Sequence, residues 1–173
     1  VPIDPIPNSI EIVKEEQISE DIIVHLVHTS DVQGNLFPYD FVNNIEKEYS
    51  LMSVYSYVSS LRESGDSLVL LDNGNSLKGE PLVDYYTYIA PDSEHIVPTV
   101  YNLLGYDAAN VGSHDLEAEE SVYLDILKKA DFPFLSANIV DSQTLEPLLE
   151  PFTIIEPGEL RIAVLALSSP SLF

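Results

Sequence analysis

The chain has 173 residues, no cysteine, and 7 Lys plus Arg against 29 Asp plus Glu, which gives a net charge of −22. This charge excludes binding to nucleic acid or anionic membrane through the overall field, and the missing cysteines exclude disulfides and thiolate chemistry. A hydrophobic content of 45% is typical of a globular domain. No apolar run reaches the length of a transmembrane segment.

Residues 1–21 contain three prolines and several acids, a composition that predicts an extended N-terminal arm. Residues 22–173 have the length and the apolar content of one domain. No basic segment followed by an apolar run opens the chain, so we expect a mature form without a signal peptide.

Strand and helix patterns alternate along the domain, which favours a layered α/β fold. The patterns predict, in chain order, a strand at 22–27, a helix at 50–64, a strand at 67–71, a helix at 81–89, a helix ending before Gly105, a strand at 108–111, a helix at 117–130, a strand at 132–140 and a hairpin formed by 152–156 and 160–167.

Polar turns follow three of the predicted strands. They read Asp31-Val32-Gln33-Gly34, Gly74-Asn75 and Gly112-Ser113-His114-Asp115. An acid or amide placed just after a strand is a common way for an α/β enzyme to present a metal ligand. We therefore predict that Asp31, Asn75 and Ser113 lie on neighbouring turns at one edge of the sheet.

The three turns resemble the N-terminal half of the calcineurin-like metallophosphatases, in the branch of the secreted 5′-nucleotidases and 2′,3′-cyclic-nucleotide 2′-phosphodiesterases (3′-nucleotidases). Other segments similar to that family are Lys78-Gly79-Glu80-Pro81, Leu104-Gly105-Tyr106-Asp107, Phe134-Leu135-Ser136-Ala137-Asn138 and Arg161-Ile162-Ala163-Val164-Leu165. The resemblance implies the N-terminal half of an αββα sandwich, with a mixed sheet and flanking helices.

The resemblance also implies a set of metal ligands, most of which are changed in this chain. Asp31 is retained, while Gln33 stands at a histidine position, Asn75 at the position of the bridging aspartate and Ser113 at an asparagine position. Amide oxygens bind hard cations weakly compared with carboxylate or imidazole groups. We therefore expect a divalent metal (Mn, Zn, Mg or Ca) to bind weakly at most.

His114 and Asp115 match the family pair that contacts the phosphate or protonates the leaving group, and they are the candidate catalytic residues. Each site residue also has a simpler interpretation. Asp31 would cap its turn, Asn75 and Ser113 would be ordinary turn residues, and His114 would be a surface histidine.

Three hypotheses remain open from the sequence. The chain is an active metal-dependent phosphoester hydrolase acting on nucleotides, a catalytically inactive binding or structural module, or a fragment that needs the missing C-terminal half or a partner chain. The changed ligands favour an inactive chain. The resemblance implies an extracellular or periplasmic location.

Overall fold

The computed structural model describes residues 22–169, so the predicted arm at 1–21 lies outside the described residues. The strands are β1 (Val24–Thr29), β2 (Tyr39–Asp40), β3 (Ile45–Glu46), β4 (Ser67–Asp72), β5 (Ala108–Asn110), β6 (Phe134–Leu135), β7 (Phe152–Ile155) and β8 (Ile162–Leu165). The helices are α1 (Leu51–Ser64), α2 (Pro81–Asp84), α3 (Ile96–Leu104) and α4 (Glu120–Leu127), with a π-helical turn at Tyr85–Ile89 and a 3₁₀ turn at His114–Glu117.

Four strands form the central sheet in the order β1–β4–β5–β6, and every neighbouring pair is parallel. Parallel strands need long connections, and α1, α3 and α4 lie in the three crossovers. The other strands form two antiparallel hairpins, β2–β3 and β7–β8. This arrangement confirms the predicted α/β class, and it brings the carboxyl ends of the four parallel strands to one edge.

One face of the sheet is covered by helices. Inward-facing residues of the strands, such as Leu70, Ala109 and Phe134, join one buried cluster with residues of α1, α3 and α4. Tyr101 of α3 lies at the centre of this core and stacks on Tyr106 with ring centroids 4.4 Å apart. Burial of this apolar surface is the main force that holds the helices on the sheet.

The opposite face is only partly covered within residues 22–169. Val164 and Ala166, from β8 and the residue after it, pack against Leu71, Ala108 and Leu135. Leu26 of β1 remains 63% exposed and Leu165 of β8 remains 61% exposed. A groove of about 350 Å³ separates β1 from β8 on this face.

The predicted elements exist, but several are shorter than expected. The predicted strand at 132–140 is reduced to β6, because Ser136 N–H donates to Glu150 and Ala137 N–H donates to Ala166 instead of continuing the sheet. The predicted helix at 117–130 is reduced to α4, because Ala118 has an extended backbone with ψ 164°. The predicted helix at 81–89 is observed as α2 followed by the π-helical turn.

Candidate functional site

Three loops meet at the carboxyl edge of the sheet, and backbone hydrogen bonds join them. Asp31 N–H, in the loop after β1, donates to Gly74 O at 3.0 Å, and Gln33 N–H donates to Asn75 O at 2.9 Å. The loop after β1 is therefore fixed to the loop after β4 independently of any side chain. The third loop, after β5, carries Ser113 and the 3₁₀ turn.

The backbone is strained at three of the predicted site residues. Asp31, Gln33 and Asn75 have φ values of 54°, 49° and 62°, in the left-handed region that non-glycine residues rarely adopt. Such conformations persist only where the surroundings enforce them, and they cluster at functional sites. The hydrogen bonds between the loops supply that enforcement here.

Two glycines allow the loops after β4 and β5 to touch. A Cβ on Gly74 would lie 2.4 Å from Gly112 N, and a Cβ on Gly112 would lie 2.2 Å from the Asn75 Oδ1 atom. Both distances are far below van der Waals contact, so a side chain at either position would push the loops apart. The close approach places Asn75 directly against the loop that carries His114.

The Asn75 side chain bridges the loops after β1 and β5. Its Nδ2 donates to Asp31 Oδ1 at 2.7 Å, and its Oδ1 accepts from the backbone N–H of His114 at 3.0 Å. The Ser113 hydroxyl lies 3.5 Å from the same Oδ1 atom. These two principal contacts fix the orientation of the amide, because reversing it would oppose two acceptors and two donors.

The Asp31 carboxylate is stabilised in its charged form by neutral donors. Ser30 Oγ donates to Asp31 Oδ2 at 2.7 Å, and Asn75 occupies the other oxygen. These hydrogen bonds, from Ser30 first and then from Asn75, hold the pKa of the Asp31 carboxyl below its usual value.

Asp115 is buried beneath the loops after β4 and β5. Its side chain is 1% exposed, and its two oxygens accept from the backbone N–H groups of Asn75, Ser76, Leu77 and Gly112 at 2.7 to 2.8 Å. Burial raises the pKa of Asp115, and the four donors act against that rise. The carboxylate faces the backbone and not the solvent, so Asp115 is a positioning residue for the loops after β4 and β5.

A second buried carboxyl, Asp72, lies at the end of β4 beneath the same loops. It accepts from Thr29 Oγ1 at 2.5 Å, from Gly74 N–H at 2.8 Å and from the Tyr101 hydroxyl at 3.2 Å. Burial raises the pKa of Asp72 to about 7. The sequence analysis did not select this residue, because it assigned the ligand position of this turn to Asn75.

His114 lies at the exposed rim of the site and forms a pair that the sequence analysis missed. Its Nδ1 is 2.5 Å from Glu117 Oε1, and the Lys78 ammonium group donates to the other oxygen of Glu117. Hydrogen bonds from Lys78 and then from His114 lower the pKa of Glu117. The spacing of His114 and Glu117, three residues apart at a helical turn, was the signal available in the sequence.

Gln33 lies in the wall of an open polar cleft of about 630 Å³ beside Asp31. The structure thus brings Asp31, Asn75, Ser113 and His114 together, with Gln33 alongside and Asp115 underneath. The roles of these residues as metal ligands or catalysts remain predictions.

The donor set does not fit a dinuclear metal centre. Asp31 is the only carboxylate among the predicted ligands, and it lies in the wall of the cleft, whereas Asn75 presents its amide NH₂ to Asp31. Within residues 22–169, no group of three or more His, Asp or Glu side chains is placed to hold a metal ion. Two divalent cations at about 3.5–4 Å need several anionic ligands to offset their repulsion.

Solved structures with the same architecture define the class of protein. Calcineurin-like phosphoesterase YfkN from Bacillus subtilis superimposes with a TM-score of 0.73 at 25% identity, over 85% of this chain and 48% of that one. A putative 5′-nucleotidase from Staphylococcus aureus gives a TM-score of 0.74 at 24% identity, over 86% and 29%. The chain therefore has the metallophosphatase fold, of which it forms the N-terminal half.

Curated relatives narrow the class to a family. A 2′,3′-cyclic-nucleotide 2′-phosphodiesterase/3′-nucleotidase of Yersinia enterocolitica is 30% identical over 140 residues, which are 77% of this chain and 21% of that protein. Protein UshA from Yersinia enterocolitica serotype O:8 is 32% identical over 150 residues, or 84% and 25%. The chain belongs to this 5′-nucleotidase and cyclic-nucleotide phosphodiesterase family, and it spans about a fifth to a quarter of the length of these relatives. No protein-family model matches it.

Proposed function

We propose that this chain is a metallophosphatase-like module that does not hydrolyse phosphoesters by itself. The observation that carries the proposal is the hydrogen bond of 2.7 Å from Asn75 Nδ2 to Asp31 Oδ1. In the family pattern this position holds an aspartate that bridges two metals. Here an amide joins the same two loops directly, so the loops are held together without cations.

The balance of charge supports this proposal. Hydrolysis by two metals requires a water that is activated by cations, and the cations require anionic ligands. Gln33, Asn75 and Ser113 are neutral, so Asp31 alone would face the combined charge of the metals. Amide and hydroxyl oxygens compensate only weakly for a missing carboxylate or imidazole.

A second candidate function is hydrolysis of a nucleotide or another phosphoester. It would require the other half of the metallophosphatase domain to complete the site. The observation that favours it is the exposed pair of His114 and Glu117 at the rim of the site. Such a pair can hold a proton for a leaving group. In that case the remaining metal ligands would come from the missing C-terminal half.

The uncovered face of the sheet supports association with a missing half or a partner chain. Parallel sheets are normally covered on both faces. Here Leu26 and Leu165 remain exposed beside the groove of about 350 Å³. The occupant we propose is the remainder of a metallophosphatase domain, in the same polypeptide or as a separate chain. Within the described residues no helix is both long and apolar enough to cross a membrane. From the similarity to its family, we propose an extracellular or periplasmic location.

Calorimetry with Mn²⁺ or Zn²⁺ tests the main proposal. We expect no dinuclear binding at micromolar affinity, whereas two metals bound per chain at about −8 kcal/mol or better would contradict it. An assay with bis(p-nitrophenyl) phosphate and Mn²⁺ should give no turnover above that of the Asp31→Asn variant. Light scattering then separates a monomeric module from a chain that associates through its uncovered face.

A further inference from the structure

A second cleft, here called the aromatic cleft, lies on the far side of the loop after β1. It has a volume of about 280 Å³, and Leu36 lies in its wall. Four of its lining residues carry aromatic rings, and they are Phe37, Tyr39, Phe41 and Tyr85. Phe41 is 66% exposed and Tyr85 is 51% exposed, so their rings are available to a ligand.

Contacts within the short hairpin β2–β3 position two of these rings, those of Tyr39 and Phe41. The Tyr39 hydroxyl donates to Asn44 Oδ1 at 2.5 Å across the turn of the hairpin. The rings of Tyr39 and Phe41 meet edge to face, with centroids 5.1 Å apart. Ring positions fixed in this way reduce the entropy lost when a ligand binds.

The aromatic cleft adjoins the polar cleft beside Asp31, and the two share Asn35, Lys47 and Glu80 in their walls. The Lys47 ammonium group is 2.6 Å from Glu80 Oε1 and also donates to Asn35 Oδ1 at 3.3 Å. Its charge is therefore compensated within the protein. The ligand would meet the aromatic rings on one side and the carboxylates of the polar cleft on the other.

The sign of the charge decides which kind of ligand fits. Besides the compensated pair, the polar cleft contains Asp31 and Glu48 and no second basic side chain. The whole chain carries a net charge of −22. This field repels a nucleotide or any other anion and attracts a cation. Aromatic faces attract cations in the same way, most strongly when the cation is poorly hydrated.

We propose that the aromatic cleft binds an organic ammonium cation, with its alkylated nitrogen against the rings of Phe41 and Tyr85. The positive charge is balanced by the neighbouring carboxylates, and the alkyl groups cover the apolar wall. This binding does not require a metal at the loops after β1, β4 and β5. It therefore holds whether or not the chain hydrolyses phosphoesters.

Choline chloride is the probe for this site, and its neutral isostere 3,3-dimethylbutan-1-ol is the matched control. We expect choline to shift the NMR signals of Phe41 and Tyr85 and to bind about tenfold or more tightly than the isostere. The affinity of choline should fall as the salt concentration rises, because screening weakens attraction to the carboxylates. Equal affinity of the two compounds would overturn the proposal.

Variants separate the aromatic contribution from simple apolar contact. Phe41→Leu and Tyr85→Leu keep apolar side chains but remove the rings, and each should weaken choline binding about fivefold. Tyr57→Leu changes another exposed tyrosine, on α1, and should leave the affinity unchanged. Glu80→Gln leaves the charge of Lys47 uncompensated and should also weaken binding.

Three further outcomes contradict an ammonium site. AMP binding at the aromatic cleft more tightly than choline would show that it accepts a planar base. An unchanged or increased choline affinity in Glu80→Gln would show that attraction to the carboxylates has no part in recognition. At about 50 mM choline, even a site with a binding free energy of only about −2 kcal/mol is partly filled. The absence of any choline-induced NMR shift up to that concentration would show that no such site exists.

Discussion

The buried and exposed layers of the loop cluster differ in what holds them. The buried layer consists of Asp72 and Asp115, which are 3% and 1% exposed and accept hydrogen bonds from their surroundings. The exposed layer consists of the fully or partly exposed residues Asp31, Gln33, Asn75 and Ser113, at positions where the family pattern places metal ligands. The buried carboxylates keep the loops in their positions even though most of the ligands above them have changed.

The contacts that hold the three loops together are made by the protein's own groups. The loops after β1 and β4 are joined by backbone hydrogen bonds, and the loop after β5 is joined to that after β4 through Asp115. The Asn75 amide adds side-chain contacts from the loop after β4 to the loops after β1 and β5. The predictions below alter one layer at a time.

The largest effect is expected for Asp115→Asn in the buried layer. The isosteric amide would present an NH₂ group to two of the four backbone N–H donors, which leaves donors facing donors in a buried position. We expect the free energy of unfolding to fall by about 3–5 kcal/mol. Urea denaturation followed by circular dichroism measures the loss.

Asp31→Asn is the matched control for Asp115→Asn, because it makes the same change in the exposed layer. Asparagine tolerates the left-handed backbone and can still accept from Asn75. The cost should stay below about 1 kcal/mol. Equal losses in the two variants would show that the two layers do not differ.

The next effect is a pH dependence due to Asp72. Burial raises the pKa of Asp72 to about 7, from 3.8 in the unfolded chain. Between these values the folded state binds more protons than the unfolded state, so the stabilisation is full below about pH 4 and is lost as the pH rises through about 7. We expect the wild type to be less stable at about pH 8 than at about pH 5, with roughly 2–4 kcal/mol due to Asp72.

Asp72→Asn isolates this contribution from those of Asp107 and Asp115, whose pKa values are also raised by burial. The amide cannot titrate, and the Thr29 hydroxyl can reverse to accept from it. Urea midpoints of wild type and variant, measured at both pH values, give the difference. Parallel pH profiles in the two proteins would exclude a titrating Asp72.

A smaller effect is expected for Asn75→Asp, which exchanges the amide bridge for a carboxylate facing Asp31. Two like charges would then lie at hydrogen-bonding distance, and the free energy of unfolding should fall by about 1–3 kcal/mol without metal. About 5 mM Mn²⁺ should recover part of the loss, since a cation binds the folded carboxylate pair. Thermal unfolding with and without Mn²⁺ measures both effects.

Asn44→Asp is the control for Asn75→Asp. Asn44 also has a left-handed backbone, with φ 57°, and an aspartate there can still accept from the Tyr39 hydroxyl. Its stability should not respond to Mn²⁺. A similar Mn²⁺ response in both variants would mean that the ion acts on the overall negative charge and not on the site.

The sequence was sufficient to predict which strands and turns form the site. An apolar segment comes shortly before each of Asp31, Gly74 and Gly112, and parallel strands bring their turns to one edge. The direction of a side chain was not predictable in the same way. Asp115 follows His114 in a polar turn, but the 3₁₀ turn rotates one side chain outward and the other into the backbone cluster.

Contacts between distant segments were the other unpredictable part. Lys78 joins Glu117 across 39 positions, and Asp72 joins Tyr101 across 29. Neither pair has a spacing pattern that a single sequence reveals. The observed length of β6 was unpredictable for the same reason. The backbone carbonyl groups that accept hydrogen bonds just after β6 belong to Glu150 and Ala166, which come from distant segments.

The last prediction restores the family pattern in the exposed layer. Gln33→His, Asn75→Asp and Ser113→Asn together add one imidazole and one carboxylate around Asp31, enough to hold at least one divalent cation. Histidine also tolerates the left-handed backbone at position 33, with φ 49°. Calorimetry at fixed pH should show Mn²⁺ or Zn²⁺ binding at least about tenfold tighter than in the parent, or 1.4 kcal/mol.

The gain in metal affinity should depend on Asp31. In the background of Asp31→Asn, the same three substitutions lack the retained carboxylate, and the gain should be largely lost. The readout is metal affinity, and the prediction does not require hydrolysis in either protein. A gain below about tenfold with Asp31 intact would mean that the three positions do not form one coordination sphere, and that the exposed layer has no relation to a metal site.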